Sequence, residues 1–318
     1  MLGAIIALVL VLAIAAPHVA PLHAVAPRTA SAVWFFALAL RALVAIGTAI
    51  FVFVYVPQTE VFGAAADWCW AIVSHHLGLS AHPLAHAATV LPALAITASL
   101  LWVLFGLVRA AVALRVLLVQ RSLGEGPMGS VVVEEDDVFV AVTGVGRARI
   151  VVSRTALGAM DREELAASVA HELGHIRRRH RPLLLLGSAF TGLGRLLPGS
   201  RAAERELRFS LERDADEYAV RKTRDPLALA SAICKASGAQ APASVTVGLG
   251  GRGRVTLRLE YLVGSGPRRG AVLERSMRLL AAFLAAITLV LAAAVPAWAV
   301  ANPGGEPGAV PGHGCPEH

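Results

Sequence analysis

Charged residues are scarce in this chain, since Asp, Glu, Lys and Arg make up only 16% of its 318 residues. Lysine is scarcer still, with Lys222 and Lys235 as its two occurrences, so the positive charge comes almost entirely from arginine. A chain with so few charges and 56% hydrophobic residues is too apolar for an ordinary soluble domain. The composition, with a mean hydropathy of +0.64, therefore indicates a membrane protein.

Cysteine is equally scarce. The chain has three cysteines and no CxxC pair, which excludes a disulfide framework. Cys234 belongs to a segment predicted below to be cytoplasmic, where a thiol stays reduced. Cys69 and Cys315 belong to segments predicted to lie outside the membrane, and the sequence leaves open whether they pair.

Long apolar stretches, in contrast, are present, and four of them approach the roughly 20 residues that cross a bilayer. The first, 2–20, has no basic residues before it, so a retained span is favoured over a cleaved signal peptide. The other three stretches are 38–56, 87–108 and 279–300. Arg41 lies near one end of the second stretch, where its side chain can extend toward the headgroups. Residues 183–197 are also apolar, but such a helix reaches only about 22 Å, so we predict a membrane-apposed or buried hairpin.

The distribution of arginine orients the four spans. The loop 57–86 contains no Lys or Arg and is predicted to lie outside, whereas the arginine-rich segment 109–278 is predicted to be cytoplasmic. Both termini then lie outside, and the run Arg177–Arg181 is expected to face lipid headgroups. No nucleic-acid-binding motif accompanies the basic residues, so no direct nucleic acid binding is expected. The predicted organisation is three spans in 1–108, a cytoplasmic domain in 109–278, a fourth span in 279–300 and a disordered tail in 301–318.

One five-residue motif indicates chemistry, His171-Glu172-Leu173-Gly174-His175. A helix places residues four apart on one face, so both imidazoles can reach one zinc ion at about 2.0–2.1 Å. Glu172 then lies beside the metal, where it can take a proton from a zinc-bound water. The alternative is a helix whose histidines are merely solvated or packed. A capping-box pattern of Asp161 and Glu164 predicts the start of this helix.

A catalytic zinc usually has three protein ligands. Glu212, in a second predicted helix, is the preferred third ligand because Asp216 lies four residues on, where it can orient a ligating histidine. Glu204 and Glu206 are interpreted as solvated charges on the same helix. His180 follows the motif, but its direction on the motif helix is wrong for the same metal.

These residues predict metal-assisted peptide hydrolysis, in which Glu172 passes the proton of the attacking water to the leaving amine. Tyr218 is the candidate oxyanion donor, and Arg208 is an alternative. β-rich segments at 131–133, 138–142 and 149–152 predict a small antiparallel sheet after a glycine-rich linker. The substrate is expected to add as a strand to the 138–142 or 149–152 edge. The predicted fold is a mainly α membrane protein with about four transmembrane helices and a cytoplasmic α+β zincin-like metallopeptidase domain.

The two motifs together resemble a known class. His171-Glu-x-x-His175, followed by Glu212-x-x-Ala215-Asp216-x-x-Ala219, resembles the glutamate-zincin membrane peptidases, and the preceding spans resemble those of BlaR/MecR-type integral membrane zinc metallopeptidases. The resemblance implies a multi-pass zinc endopeptidase in the cell membrane. It also implies a protein substrate, a cytoplasmic transcriptional repressor in a signalling pathway.

The resemblance is incomplete. The β-lactam sensors of this family carry an external penicillin-binding domain with a nucleophilic SxxK serine, but neither Lys222 nor Lys235 has a serine three residues before it. The sensor domain is therefore expected to be absent. The HtpX-like membrane proteases, which act in quality control, share both signatures and are the alternative family. A non-catalytic membrane signalling protein with a structural zinc is the alternative outside enzymes.

Overall fold

A computed structural model of the chain describes residues 2–55, 122–143, 149–238, 252–263 and 270–301, together with isolated positions between 94 and 112. The predicted outer loop, most of the predicted third span and nearly all of the predicted tail lie outside the described residues. The described part is mainly helical, with a small mixed sheet.

The helices follow the apolar and amphipathic stretches of the sequence. In chain order they are α1 (Leu2–Val19), α2 (Pro27–Tyr55), α3 (Arg154–Ala159), α4 (Arg162–Arg177), α5 (His180–Leu193), α6 (Ser200–Thr223), α7 (Pro226–Gly238), α8 (Arg252–Val263) and α9 (Ala271–Ala301). The strands are β1 (Ser122–Glu125), β2 (Val131–Val133), β3 (Val140–Thr143) and β4 (Arg149–Ser153).

Helix α2 is the centre of the helical packing, because α1, α5, α6 and α9 all contact it. Leu38 of α2, Leu207 and Leu211 of α6 and Leu284 of α9 are all buried in one apolar cluster. Burial of such side chains stabilises the packing by roughly 1.5–3 kcal/mol each. The helix that carries Glu212 is therefore fixed against a helix predicted to span the membrane.

Arg41 corrects one expectation about α2. Its position near one end of the predicted second span suggested a side chain that extends toward the headgroups, but the guanidinium is fully buried. It donates to the carbonyl oxygens of Ala37 at 3.0 Å and Ile14 at 2.8 Å, and lies 2.7 Å from Nε2 of His18. The charge stays inside because backbone carbonyls of α1 and α2 lie within its reach. Trp34 also packs inward, against the His18 ring.

Two described helices are long and apolar enough to cross a membrane, Pro27–Ala49 within α2 and Ala271–Ala294 within α9. The predicted first span forms a shorter apolar helix, Gly3–Val19. The apolar face of α9 is open to its surroundings, as the 65–68% exposure of Leu279 and Leu289 indicates. These lengths and compositions are weak evidence for membrane association.

The sheet has the strand order β1–β2–β4–β3. β1–β2 and β3–β4 are antiparallel, but β2 and β4 are parallel, so the prediction of an antiparallel sheet is wrong. The reason is the order in which the strands form. After β2 the chain first forms the edge strand β3, and then turns back to form β4 between β2 and β3, so β4 runs in the same direction as β2. The segment predicted as a linker also contributes β1. The arrangement leaves β3 at an edge of the sheet and β4 in its interior.

The motif helix α4 starts where the sequence predicted. The side chain of Asp161 accepts from the Glu164 N–H, and that of Glu164 accepts from the Asp161 N–H, both at 2.8 Å, so the capping box is confirmed. Leu165 and Val169 pack under the sheet in a second apolar cluster. The opposite face of α4 is thereby directed toward α6.

Candidate metal centre

Helices α4 and α6 bring together the three residues predicted to bind zinc. Nε2 of His171 and Nε2 of His175 lie 3.2 Å apart. Oε2 of Glu212 lies 3.4 Å from the first nitrogen, and its Oε1 lies 3.5 Å from the second. Among the described residues, this is the one group of His, Cys, Asp and Glu side chains arranged to hold a metal ion.

The two histidine nitrogens, and the Glu212 oxygen nearest to each of them, are spaced as the ligand atoms of a tetrahedral ion. Two ligand atoms bound at about 2.0–2.1 Å with a tetrahedral angle between them lie about 3.3–3.4 Å apart. The observed separations of 3.2, 3.4 and 3.5 Å agree with that value. Two imidazoles and one carboxylate are also a donor set that zinc favours in catalytic sites, with one position left for water. The residues present therefore fit zinc.

Gly174 permits the close packing of the two ligand helices. A β-carbon at this position would lie 3.2 Å from the Ala215 α-carbon and 3.2 Å from the Tyr218 β-carbon, both in α6. Such contacts are tighter than ordinary van der Waals packing, so a larger residue would push α4 and α6 apart. The small residue inside the motif thus contributes to the ligand spacing.

Asp216 lies beside the His171 ring, next to the nitrogen that does not face the other two candidate ligands. Its Oδ1 lies 2.9 Å from Nδ1 of His171, which leaves Nε2 of that ring for a metal. Arg258 of α8 holds the two carboxylates: its Nε and Nη2 donate to Asp216 at 2.8 and 2.7 Å, and its Nη1 lies 3.1 Å from Glu212. All four side chains are largely buried.

The protonation of this cluster follows from burial and from the nearby charges. Burial lowers the pKa of His175 to about 3, so this imidazole is neutral and ready to act as a ligand. Burial acts on His171 in the same direction, but Asp216 and Glu212 outweigh it and raise the pKa of His171 to about 10. Burial raises the pKa of Glu212, whereas electrostatic interactions with the neighbouring histidines and with the Arg258 guanidinium oppose it, and the net value falls to about 2. A metal that binds here must therefore displace a proton from His171.

The side chain of Glu172 extends from the motif helix α4 to the edge strand β3. Its Oε2 accepts from the backbone N–H of Val142 at 2.9 Å. Arg181 donates to the carbonyl oxygen of the same residue. Burial raises the pKa of Glu172 to about 7, which is close to neutral pH and suits a group that accepts and releases a proton.

The arginine run after the motif, which was expected to face lipid headgroups, is exposed at Arg177 and Arg179 but not along its whole length. The side chain of Arg178 is only 8% exposed, and it forms an ion pair with Asp214. His180 is 1% exposed and contacts His175 instead of lipid or metal. These side chains turn inward because Asp214 and the β3 edge offer hydrogen-bond partners there.

The remaining predicted residues lie elsewhere. Tyr218 adjoins Gly174, and Arg178 covers its ring at 5.4 Å. Arg208 pairs with Glu204 at 2.7 Å, and Glu206 pairs with Arg254 at 2.6 Å. These four charged residues form pairs away from the ligand atoms.

Sequence reasoning missed Arg258, Arg181 and the role of the Val142 backbone. Nothing in the motif spacing points to them, because each is distant in the chain from its partner. One signal in the sequence could have pointed to Arg258. Charged residues are scarce in this chain, and an arginine that faces inward from the amphipathic stretch Arg252–Val263 needs a buried partner.

Comparison with known proteins adds one finding. The family model described as peptidase family M48 matches residues 110–201, less than a third of the chain. The match includes the sheet, the motif helix α4 and α5, and ends before Glu212. No curated protein and no solved structure matches the chain.

The match, together with a site that fits a metal, supports a metallopeptidase. It does not reach the narrower resemblance to the BlaR/MecR type, and it leaves the substrate open.

Proposed function

We propose that this protein is a membrane-bound zinc endopeptidase. The observation that carries the proposal is the convergence of His171, His175 and Glu212 at separations that fit one tetrahedral ion, with Glu172 near enough to interact electrostatically with His171 and Glu212. A structural zinc site is normally closed by a fourth protein ligand. Within the described residues the cluster has three such side chains, so the arrangement favours a catalytic site.

Four residues carry the chemistry. His171, His175 and Glu212 would hold the zinc, which when bound supplies a Lewis acid and lowers the pKa of a water molecule. Glu172 takes the proton from the attacking water and delivers it to the leaving amine. Its partly buried position, which raises its pKa to about 7, lets it hold that proton between the two transfers.

The β3 edge is the proposed binding site for the substrate backbone. Of the two strands predicted to accept the substrate, β4 has neighbours on both sides, whereas β3 lies at an edge of the described sheet and can accept another strand. The N–H of Ser153 donates to the carbonyl oxygen of Phe139, and alternation along the strand then directs the backbone groups of Val140 and Val142 outward. Glu172 and Arg181 already occupy those of Val142, so within the part of the chain that the structure describes Val140 offers the nearest outward-facing groups.

The substrate is proposed to be a cytoplasmic or membrane-surface protein. α2 and α9 start side by side, because Thr29 donates to Glu274 at 2.6 Å, so two spans would run in the same direction. Arg28, in the first turn of α2, lies 3.5 Å from Asp214 of α6. The metal centre is thus held near the end of α2 that the arginine distribution assigns to the cytoplasm.

Two biological roles follow from the resemblances. In the BlaR/MecR-like role the substrate is a transcriptional repressor, and loss of the protease silences a small set of genes. In the HtpX-like role the substrates are damaged membrane proteins, and loss produces a broad envelope stress response. Transcript profiling of a Glu172→Gln strain separates them, and in neither role should the chain bind a labelled β-lactam covalently.

Glu172→Gln also tests the proposed chemistry. The purified full-length variant should bind zinc as the wild type does and lose peptide hydrolysis, because the change removes the base and no ligand. His171→Ala, as the control, should lose both. Hydrolysis by Glu172→Gln at the wild-type rate would instead support the non-catalytic signalling protein.

A further inference from the structure

His180 is a buried polar residue that the proposed peptide hydrolysis does not use. It is 1% exposed and is the first residue of α5. Its Nδ1 lies 3.0 Å from Nδ1 of His175, and its Nε2 lies 3.0 Å from Oδ2 of Asp214. His175, His180 and Asp214 thus form one chain of contacts behind the metal centre.

The turn at Arg179 brings His180 to this position. In a continuous helix His180 would be rotated by about 140° from His175 and would point away from it. Arg179 instead adopts a left-handed conformation with φ of 54°, which ends α4 and begins α5. The same turn places Arg178 against the carboxylate of Asp214, which fixes the far end of the chain of contacts.

Matching each donor with an acceptor determines the tautomers along this chain. A metal-binding Nε2 of His175 must carry a lone pair, so the neutral ring has its proton on Nδ1. Nδ1 of His180 then accepts a hydrogen bond from the Nδ1–H of His175, and His180 carries its own proton on Nε2. Asp214 completes the chain, because an ionised carboxylate only accepts.

We infer that His180 and Asp214 are positioning residues that hold His175 in the tautomer and ring orientation of a metal ligand. The inference rests on the proposed metallopeptidase function. Histidine ligands commonly donate their second N–H to a carboxylate, and Oδ1 of Asp216 lies 2.9 Å from Nδ1 of His171. Asp214 has the same relation to His175, with the imidazole of His180 inserted between them.

Zinc affinity of the purified full-length protein, measured by competition with a chromophoric chelator, tests the role of His180. His180→Phe keeps an aromatic ring but has no acceptor, and should bind zinc about 10–100-fold more weakly. His180→Asn keeps an acceptor oxygen near the Nδ1 position and should bind more tightly than His180→Phe. Packing alone predicts the reverse order, because asparagine leaves the larger cavity. Wild-type affinity in His180→Phe, or equal affinity in the two variants, would overturn the inference.

Asp214→Asn tests the direction of the hydrogen bonds. The amide oxygen can stay on Arg178 while the amide N–H donates to His180. Each bond then reverses, and the proton of His175 moves to the metal-binding nitrogen. Zinc affinity should fall at least as far as in His180→Phe, and the absorption spectrum of bound Co²⁺ should change. In a His180→Phe background, Asp214→Asn should cause no further loss of affinity. An additive second loss would mean that Asp214 acts on the fold instead of through His180, and would refute its assignment.

The design separates this inference from the proposed function. Zinc affinity judges His180 and Asp214, whereas Glu172→Gln judges catalysis, and either can fail alone. Melting temperatures in excess chelator report the folding of each variant. If His180→Phe does not fold, the zinc affinity of His180→Asn decides the matter. We expect it to be less than about 10-fold weaker than that of the wild type. A larger loss of zinc affinity in folded His180→Asn would contradict the role.

Discussion

Removal of the positive charge of Arg258 should strongly destabilise the metal-free protein. Arg258 is 4% exposed and makes three polar contacts of 2.7–3.1 Å with the buried carboxylates of Asp216 and Glu212. Arg258→Met keeps most of the side-chain volume but leaves both carboxylates without this partner. Breaking one side of a buried ion pair costs about 3–5 kcal/mol. For a domain of this size, that corresponds to a fall in melting temperature of about 6–20 °C.

Arg254 of the same helix provides the matched control. It pairs with Glu206 at 2.6 Å, but the two side chains are 24% and 40% exposed. Solvent screens such a pair, so Arg254→Met should cost about 0–1 kcal/mol. The assay is thermal unfolding of the full-length protein in detergent with excess chelator, followed by circular dichroism.

Zinc provides a second readout for the same pair of variants. A bound divalent cation places positive charge beside Glu212, so saturating zinc should recover part of the stability that Arg258→Met loses. Arg254→Met should gain from zinc no more than the wild type does. The electrostatic reasoning is refuted if Arg258→Met melts within about 2 °C of Arg254→Met in chelator, a difference below about 1 kcal/mol.

Further predictions concern helix packing, pH and metal removal. Gly174→Ala should destabilise the protein and weaken zinc binding, because overpacking costs about 1–3 kcal/mol and exceeds the helix-propensity gain of about 1 kcal/mol. Gly158→Ala is the control: its added methyl group meets open space, so it should be neutral or stabilising in the same melting assay. Burial raises the pKa of Glu164, but hydrogen bonds from Lys235, Ser231 and the Asp161 backbone outweigh it, so the net pKa lies below its ordinary value. The carboxylate therefore stabilises the fold above about pH 4.3, and this contribution disappears as pH falls through the lowered pKa. Denaturation of metal-free Glu164→Gln against wild type should show a deficit at pH 7 that shrinks toward pH 3, and a constant deficit would contradict the assignment. Removal of zinc by a chelator should abolish hydrolysis and lower the melting temperature of wild type, whereas His171→Ala should melt at the same temperature with and without zinc.

The local features of the site could be predicted from the sequence. The four-residue spacing of His171 and His175 determines their shared helix face, and the Asp161–Glu164 capping box determines where that helix starts. The pairing of Glu212 with Asp216 follows from the same periodicity in a second helix. Each of these inferences needs only the 3.6-residue repeat of a helix.

The sequence indicates which helices can span a membrane, but not how those helices pack. Composition and apolar length indicate helices α2 and α9, because about 20 apolar residues are enough to recognise a span. The same rule says nothing about which helices pack together, so it missed that Arg41 points into the protein. The parallel pairing of β2 with β4 was missed for a similar reason, since strand propensity does not specify strand order.

The sequence by itself determined the motif helix, its metal-binding face and the carboxylate at Glu172, because these depend on residues within a few turns of one another. Tertiary structure alone decided that Arg258 neutralises Asp216 across 42 residues, that Val142 binds Glu172 across 30, and that Asp214 is linked to His175 through His180. Such contacts depend on how α4, α6, α8 and the β3 edge pack in space. Packing of this kind is a property of the whole fold, and no local repeat along the chain records it.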